Sequence, residues 1–159
     1  MPLKVFLDTE YTDFVDTDLI SIGMVAETEE EFYAEVPYCA DACSVFVRES
    51  VIPLLGQEPN AHCLVDELRS RIITWLKIVR RRDEEVEICF DSQTDWDLFI
   101  DALDYKVPTW CKSRNVAYEI NELLRFDFYY NRKLPEHHAL YDAMANHYAF
   151  RERINLPSK

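Results

Sequence analysis

The sequence predicts an α/β fold in which a mixed sheet carries helices on both faces. Two observations lead to this prediction. The first part of the chain contains three short strand patterns separated by polar turns, which is typical of an antiparallel meander. The remainder alternates between helix and strand patterns, which adds parallel strands and packs helices against the sheet. With 159 residues, 48% of them hydrophobic, we expect a single domain spanning residues 1–159.

The strands are predicted from short runs of β-branched and aromatic residues. Residues 3–9, 18–27 and 30–37 form the predicted meander. Residues 86–90, "VEICF", are predicted as a buried strand, and residues 114–124 as a short strand that passes into a helix. The three strands of the meander come first in the chain, and the other predicted strands follow them.

The helices are predicted from apolar side chains that recur every three or four positions and from proline and glycine stop signals. The predicted helices span residues 44–56, 62–80, 94–104 and 137–154. The first is broken by Pro53 and ended by Gly56. The last begins soon after Pro135, because a residue that precedes proline favours an extended backbone.

The composition limits the classes of function. The formal net charge of −13 argues against a polyanionic partner, because affinity for nucleic acid comes largely from phosphate neutralisation. The objection weakens if some of the acids bind divalent cations, which reverse the local charge. With two glycines, the chain has no Gly-rich phosphate loop. The five cysteines lack CxxC spacing, which argues against a zinc site and a disulfide framework.

The sequence shows no targeting or membrane segment. A cationic region followed by an apolar run is missing at the N-terminus, and no apolar stretch reaches the roughly 18 residues that a membrane helix needs. We therefore expect a cytoplasmic protein that does not enter the membrane.

The first candidate site residues stand at the end of the first strand, in "VFLDTEY". Side chains alternate between the faces of a strand, so Asp8 and Glu10 point the same way, about 6.6 to 7 Å apart. Two carboxylates this close repel each other unless a cation lies between them, and Mg²⁺ prefers such oxygen ligands. A two-metal site is one recurrent use of such a pair. The alternative is that both acids face water at a strand end.

A second group of acids follows the strand at residues 86–90, in "CFDSQTDWDLF". Asp91 ends the strand, and Asp95 falls in the first turn of the next helix. In the alternative interpretation, both acids cap free N–H groups of that helix. Asp97 and Asp91 compete with Asp95 as candidate metal ligands.

The third candidate group is "HHALYDA", in which histidines precede Asp142. Imidazole is well suited to accept a proton from water near neutral pH. On a regular helix His138 and Asp142 share a face, whereas His137 lies about 140° from Asp142. The alternative is a surface histidine pair beside an unrelated acid.

Taken in order, "DTE", "TDWDLF" and "HHALYD" resemble the three motifs of the DEDD 3′-5′ exonucleases of the ribonuclease H-like superfamily, in its DEDDh branch. The opening "LDTEYTDFVDTDLISIGMVAETEEEFYAEV" is similar to that of the small RNase AS-like exoribonucleases. The resemblance implies a ribonuclease H-like fold. It also implies hydrolysis of single-stranded RNA from its 3′ end to nucleoside 5′-monophosphates, two Mg²⁺ or Mn²⁺ ions as cofactors, and a homodimer.

The resemblance also implies roles for individual residues. The implied metal ligands are Asp8, Glu10, Asp95 and Asp142. His137 matches the general base of the family, which requires it to lie in the loop ahead of the last helix, and Pro135 permits this. The middle motif departs from the family pattern, which usually has an aromatic residue where this chain has Thr94.

Two aromatic residues stand beside the candidate acids. Tyr11 follows Glu10, and Trp96 follows Asp95. Each is a candidate to stack on a terminal base of the substrate. The alternative is that either ring packs in the core.

Two other functions remain open at this point. A DNA-directed 3′-5′ exonuclease would use the same metal ligands, and the sequence does not locate a contact that senses a 2′-hydroxyl. A non-catalytic acidic protein, such as a DNA mimic or a partner-binding module, would account for the net charge of −13. A mimic would spread its acids over the surface, whereas an exonuclease needs four of them to converge with a histidine.

Overall fold

The computed structural model describes residues 1–153. Five strands form the centre of the fold: β1 (Leu3–Tyr11), β2 (Leu19–Ala26), β3 (Glu31–Glu35), β4 (Val86–Phe90) and β5 (Cys111–Asn115). They form one sheet in the order β3-β2-β1-β4-β5. β1, β2 and β3 pair as an antiparallel meander, and β4 and β5 add to it in parallel.

Helices cover both faces of this sheet. The α-helices are α1 (Val45–Ser50), α2 (Val65–Val79), α3 (Gln93–Ala102), α4 (Glu122–Arg132) and α5 (Ala139–Ala149). Val5 and Leu7 of β1 point to the face packed against α2 and α3, whereas Phe6 points to the face packed against α5. The predicted mixed α/β sheet, with a three-stranded meander, parallel strands and helices on both faces, is therefore confirmed.

The position of α5 depends on a close approach to β2. Gly23 lies directly under the first turn of α5, where a Cβ atom would be 2.4 Å from the backbone nitrogen of Leu140. Gly23 also pairs with Asp8 across the β1–β2 ladder. This contact sets the distance between α5 and the end of β1.

The first two predicted helices begin or end elsewhere. The helix predicted over residues 44–56 stops at Ser50, and a separate 3₁₀ turn (Ile52–Leu54) contains Pro53. The helix predicted over residues 62–80 begins at Val65. Its first predicted residues are extended instead, because the Cys63 backbone N–H donates to the carbonyl of Glu35 at 3.0 Å.

The prediction for residues 114–124 was wrong in its boundaries. β5 starts earlier, at Cys111, and α4 continues to Arg132. Its side chains bury little apolar surface, since Phe128 alone is buried among the residues of this helix. Its apolar residues Leu123, Phe126 and Tyr130 instead face solvent.

The last helix is shorter than predicted. α5 begins at Ala139 because His137 has a left-handed backbone, with φ of +69°, and His138 is extended. It ends at Ala149, after which Phe150 bridges to Ile120. Residue 154, the last of the predicted helix, lies outside the described residues. Within residues 1–153, no helix is long and apolar enough to cross a membrane.

Candidate active site

The ends of β1 and β4 place acidic side chains next to each other. The parallel register pairs Phe6 with Cys89, so Asp8 and Asp91, each two residues further on, are neighbours at the same edge of the sheet. Asp95 joins them from the first turn of α3. One carboxylate oxygen from each of Asp8, Asp91 and Asp95 lies within 4.8 Å of the other two.

Asp95 is held in this group by the middle residue of the "DTE" motif. The Thr9 hydroxyl donates to Asp95 Oδ1 at 2.6 Å, and the Thr9 backbone N–H donates to the same atom at 3.2 Å. Thr9 points to the α3 face of the sheet, opposite to Asp8 and Glu10. Asp97 lies on the exposed side of α3 and accepts from the Gln93 amide at 3.1 Å, so the structure places it away from the group.

A second group forms where the segment before α5 crosses the end of β1. Ligand atoms of Glu10, His137 and Asp142 lie within 4.8 Å of one another. The His137 backbone N–H donates to both carboxylate oxygens of Asp142, at 3.2 and 3.3 Å. From α4, the Tyr129 hydroxyl donates to Asp142 Oδ1 at 2.5 Å. These contacts fix Asp142 and the loop that carries His137.

The two adjacent histidines have different surroundings. His138 is buried and stacks against Tyr33 and Tyr141, with ring centroids 4.5 and 3.9 Å away. Burial lowers the pKa of the His138 imidazole, and the nearby Glu35 has a smaller opposite effect. His137 lies outside the helix and lines the cavities around the acids.

Burial and mutual repulsion make these carboxyl groups hard to ionise. Burial, reinforced by the neighbouring acids, raises the pKa of Asp8 well above its usual range. Burial followed by the charge of Asp142 raises the pKa of Glu10 to about 9. Burial also raises the pKa of Asp95 to about 7, although the hydrogen bond from Thr9 acts in the opposite direction. Without a cation, the site resists holding all its negative charges together.

The donor set suits a hard divalent cation. Among the described residues, Asp8 Oδ2 and Asp95 Oδ2 are buried and have no hydrogen-bond partner. Unsatisfied buried oxygens are rare in folded proteins and often mark a missing ion or water. Mg²⁺ and Mn²⁺ bind carboxylate oxygens, so the residues present fit such an ion.

Two cavities meet at the acids. The residues common to both are Asp8, Asp91, His137 and Asp142. The smaller cavity has a volume of about 220 Å³, and its lining includes the aromatic rings of Tyr11, Phe14 and Phe46. Phe14 and Phe46 are largely exposed, and Phe46 lies edge-on to the His137 ring at 4.8 Å. The smaller cavity therefore has an aromatic rim beside the acids.

The larger cavity, of about 440 Å³, extends from the acids to α4. Arg125, Phe126 and Tyr129 line it from that helix. Arg125 Nη1 donates to Asp91 at 3.1 Å and to the Asn146 side chain at 3.0 Å. One guanidinium thus lies in a wall that also carries five acidic residues.

The two aromatic residues predicted beside the acids lie in different places. Tyr11 lines the smaller cavity and packs edge-on against Phe14, with ring centroids 5.8 Å apart. Trp96 stacks between Phe90 and Phe99, at 5.7 and 5.4 Å, next to the core between the sheet and α3. The structure therefore gives Trp96 a packing role, and its position does not support stacking on a substrate.

Sequence reasoning missed the contribution of α4, because the helix itself was not predicted in full. Arg125 and Tyr129 were therefore not placed near Asp91 and Asp142. One local signal was available. Asn121 caps α4 by accepting from the Leu124 N–H at 3.1 Å, and asparagine is a preferred residue at that position.

No family model and no curated protein matches the chain. The nuclease domain of 3′hExo, a DEDDh family member, bound to rAMP, is similar with a TM-score of 0.58 and 14% identity, covering 96% of this chain and 97% of that one. A full-length 3′-exonuclease is similar with a TM-score of 0.52 and 12% identity, covering 91% and 78%. The chain therefore has the ribonuclease H-like fold found in DEDDh 3′-exonuclease domains.

Proposed function

We propose that the protein is a metal-dependent 3′-5′ exonuclease of the DEDDh type that hydrolyses single-stranded RNA. The observation that carries the proposal is the convergence of the three sequence motifs. Residues from β1, α3 and the start of α5 meet around two buried carboxylate oxygens that have no partner among the described residues. The likeness in fold to 3′-exonuclease domains supports the same conclusion.

The proposed metal ligands are Asp8, Glu10, Asp95 and Asp142. Asp91 is a further candidate, since its carboxylate lies in the group with Asp8 and Asp95. Two bound Mg²⁺ or Mn²⁺ ions supply positive charge that favours ionisation of a water and stabilises a leaving oxygen. Thr9 holds Asp95 in place, and Tyr129 with the His137 N–H holds Asp142.

His137 is proposed as the general base. Its imidazole accepts a proton from the attacking water, whose oxygen forms a new bond to phosphorus. The bond between phosphorus and the 3′ oxygen of the preceding nucleotide breaks, and that oxygen takes a proton from solvent. The products are a nucleoside 5′-monophosphate and a strand that ends in a 3′-hydroxyl. The position of His137 in both cavities supports this role, whereas the buried His138 is enclosed by Tyr33 and Tyr141.

The last nucleotide of the strand is proposed to occupy the smaller cavity. Tyr11, Phe14 and Phe46 offer aromatic surface there for a base. Stacking of this kind tolerates any base, because every base has an aromatic face. The proposal thus assigns Tyr11 to substrate binding and adds Phe14 and Phe46 to it.

RNA is proposed as the substrate on two grounds. The opening segment is similar to that of the RNase AS-like exoribonucleases, and the similar nuclease domain of 3′hExo was solved with rAMP. DNA is the alternative substrate.

The same likeness to RNase AS-like enzymes suggests a homodimer, which sedimentation velocity tests. The convergence of acids with a histidine favours an enzyme over an acidic mimic, because a mimic has no need of buried carboxylates.

The test is digestion of 5′-labelled single-stranded RNA and DNA of the same sequence in Mn²⁺. We expect a ladder of products that shortens stepwise from the 3′ end, faster for RNA, and slower when the 3′ end carries a phosphate. Faster digestion of DNA than of RNA would show that DNA is the preferred substrate and contradict the proposed one. Cleavage of a circular single strand would indicate endonuclease action and contradict the proposal.

A further inference from the structure

We propose that one exposed face of α4 binds the single strand on the 5′ side of the bond that is cleaved. This face, called the α4 face here, consists of Leu123, Phe126 and Tyr130. The inference rests on the proposed exonuclease function and extends it to the path of the substrate outside the active site.

Within residues 1–153, the α4 face presents apolar side chains to solvent. Leu123, Phe126 and Tyr130 are 78%, 65% and 73% exposed. Their spacing of three and four residues places them in one row on the helix. The rings of Phe126 and Tyr130 are 6.1 Å apart with an angle of 15° between their planes, so their faces are nearly parallel. A contiguous exposed apolar row of this kind commonly marks a binding surface.

The α4 face is continuous with the candidate active site. Phe126 lines the larger cavity, which also contains Asp8, Asp142 and His137. If the last nucleotide occupies the smaller cavity, the rest of the strand leaves through the larger one, which opens toward α4. Of the exposed rings of the α4 face, Phe126 is then nearest to the cavity, and Tyr130 lies beyond it.

The charge of the protein explains why aromatic stacking would be needed. The formal net charge of −13 argues against general phosphate neutralisation as the main source of affinity for a polyanion. Stacking of bases on aromatic rings supplies affinity without cations. Arg125 is already paired with Asp91 and Glu122, and the Arg132 guanidinium lies over the Phe128 ring at 4.8 Å, so both guanidinium groups already have partners within the chain.

A second copy of this chain is the other occupant that an apolar face might attract. Stable interfaces between proteins bury roughly 800 Å² on each partner, far more than three side chains provide. Continuity with the cavity of the acids therefore favours a nucleic acid strand over a second copy.

The experiment measures how hydrolysis depends on substrate length. A 5′-labelled RNA dinucleotide and an oligonucleotide of about eight residues, within the range that single-strand binding sites cover, are digested in Mn²⁺. Wild type is compared with Tyr130→Ala and Tyr130→Phe. Tyr105→Ala is the matched control, because Tyr105 is 74% exposed and lies after the end of α3 that points away from the acids.

We expect kcat/KM of wild type to rise with length, mainly through a lower KM. In Tyr130→Ala the longer substrate should lose roughly 5-fold to 100-fold in kcat/KM, the range expected for one stacked base. The dinucleotide, which does not reach Tyr130, should be cleaved at the wild-type rate. Tyr130→Phe and Tyr105→Ala should match wild type at both lengths.

Other outcomes separate the two proposals. If Tyr130→Ala matches wild type at both lengths, the α4 face is not the path of the strand, although the exonuclease function stands. If wild type cleaves neither substrate, the proposed function fails. Fluorescence anisotropy of the labelled octanucleotide then tests whether the α4 face binds the strand. Weaker binding by Tyr130→Ala than by wild type would support the proposal. Equal binding by the two proteins, or no detectable binding, would contradict it. Loss of dimers in Tyr130→Ala by sedimentation velocity, without an effect of length, would assign the face to a second copy.

Discussion

Gly23 of β2 lies against the backbone of Leu140, in the first turn of α5. A Cβ atom on residue 23 would lie 2.4 Å from the Leu140 nitrogen and 2.5 Å from the carbonyl carbon of Ala139. The same residue pairs with Asp8 across the ladder. The absence of a side chain at Gly23 therefore sets how closely the loop carrying His137 approaches the acids of β1.

Gly23→Ala should displace the start of α5 and impair the site. The overpacking should cost about 1 to 3 kcal/mol of stability, because backbone atoms cannot rotate away as a side chain does. At a temperature where the variant is still folded, its kcat should fall. Thermal unfolding and nuclease assays measure the two effects. Adding Leu140→Ala should not restore either one, since the contact involves the backbone; restoration would contradict this account.

Substitution of each histidine tests which one acts as the base. His137→Ala should lower kcat by about 10² to 10⁴, the usual contribution of positioned proton transfer, with metal affinity largely retained. His138→Ala should lower the melting temperature, because it removes a ring packed between Tyr33 and Tyr141, but keep kcat near that of wild type. Asp142→Asn should lose metal affinity as well as rate. A normal kcat in His137→Ala with a crippled His138→Ala would show that the assignment is reversed.

Thr9→Val tests the support of Asp95. Valine has a similar shape but cannot donate the 2.6 Å hydrogen bond to Asp95 Oδ1. A hydrogen bond to a charged group contributes about 1.5 to 3 kcal/mol, so we expect kcat/KM to drop by roughly tenfold or more. The Mn²⁺ concentration for half-maximal activity should rise as well. Unchanged metal dependence would mean that Thr9 does not position Asp95.

The raised carboxyl pKa values predict that the metal-free protein becomes less stable as the pH rises. The pKa of Glu10 is raised from 4.5 to about 9, so the folded state holds this proton more tightly than the unfolded state. Stability from this group is present below pH 4.5 and is lost as the pH rises toward 9. Metal ions at about a hundredfold excess over Kd should restore about 2.7 kcal/mol.

Glu10→Gln provides the control for this effect. Glutamine stays neutral, so the metal-free variant should melt at a higher temperature than wild type at pH 8 and gain less from Mn²⁺. Melting temperatures measured between pH 5 and pH 9, with and without Mn²⁺, test both expectations. A metal-free melting temperature of wild type that rises over this range, or one that Mn²⁺ does not change, would argue against a preformed acidic site.

Much of the fold was predictable because its pattern is local. The strands of the meander and β4 have β-branched and aromatic residues between polar turns, and α2 has a clear apolar stripe. α4 also has regularly spaced apolar residues, but Leu123, Phe126 and Tyr130 face solvent, and Phe128 alone is buried on this helix. Its boundaries therefore required the tertiary structure.

The candidate site was predictable only in part, for a similar reason. Asp8 and Glu10 share a face by strand periodicity, and the structure places Asp95 and Asp142 beside them. Asp91 and Asp95 were open alternatives in the sequence, yet both lie by Asp8, because strand register and the turn into α3 bring them together. The left-handed backbone of His137, which sets its side chain apart from the helix, has no signal in residue spacing.

Hydrolysis of 5′-labelled single-stranded RNA by wild type, Asp8→Asn and Asp66→Asn, each in EDTA and in Mn²⁺, tests whether the acids around Asp8 form a metal-dependent nuclease site. Asp66 is an exposed acid in the first turn of α2 and serves as the matched control. We predict stepwise shortening from the 3′ end by wild type and Asp66→Asn in Mn²⁺, none in EDTA, and none by Asp8→Asn in either. Full activity in EDTA, or in Asp8→Asn, would contradict a metal-dependent nuclease built on these carboxylates.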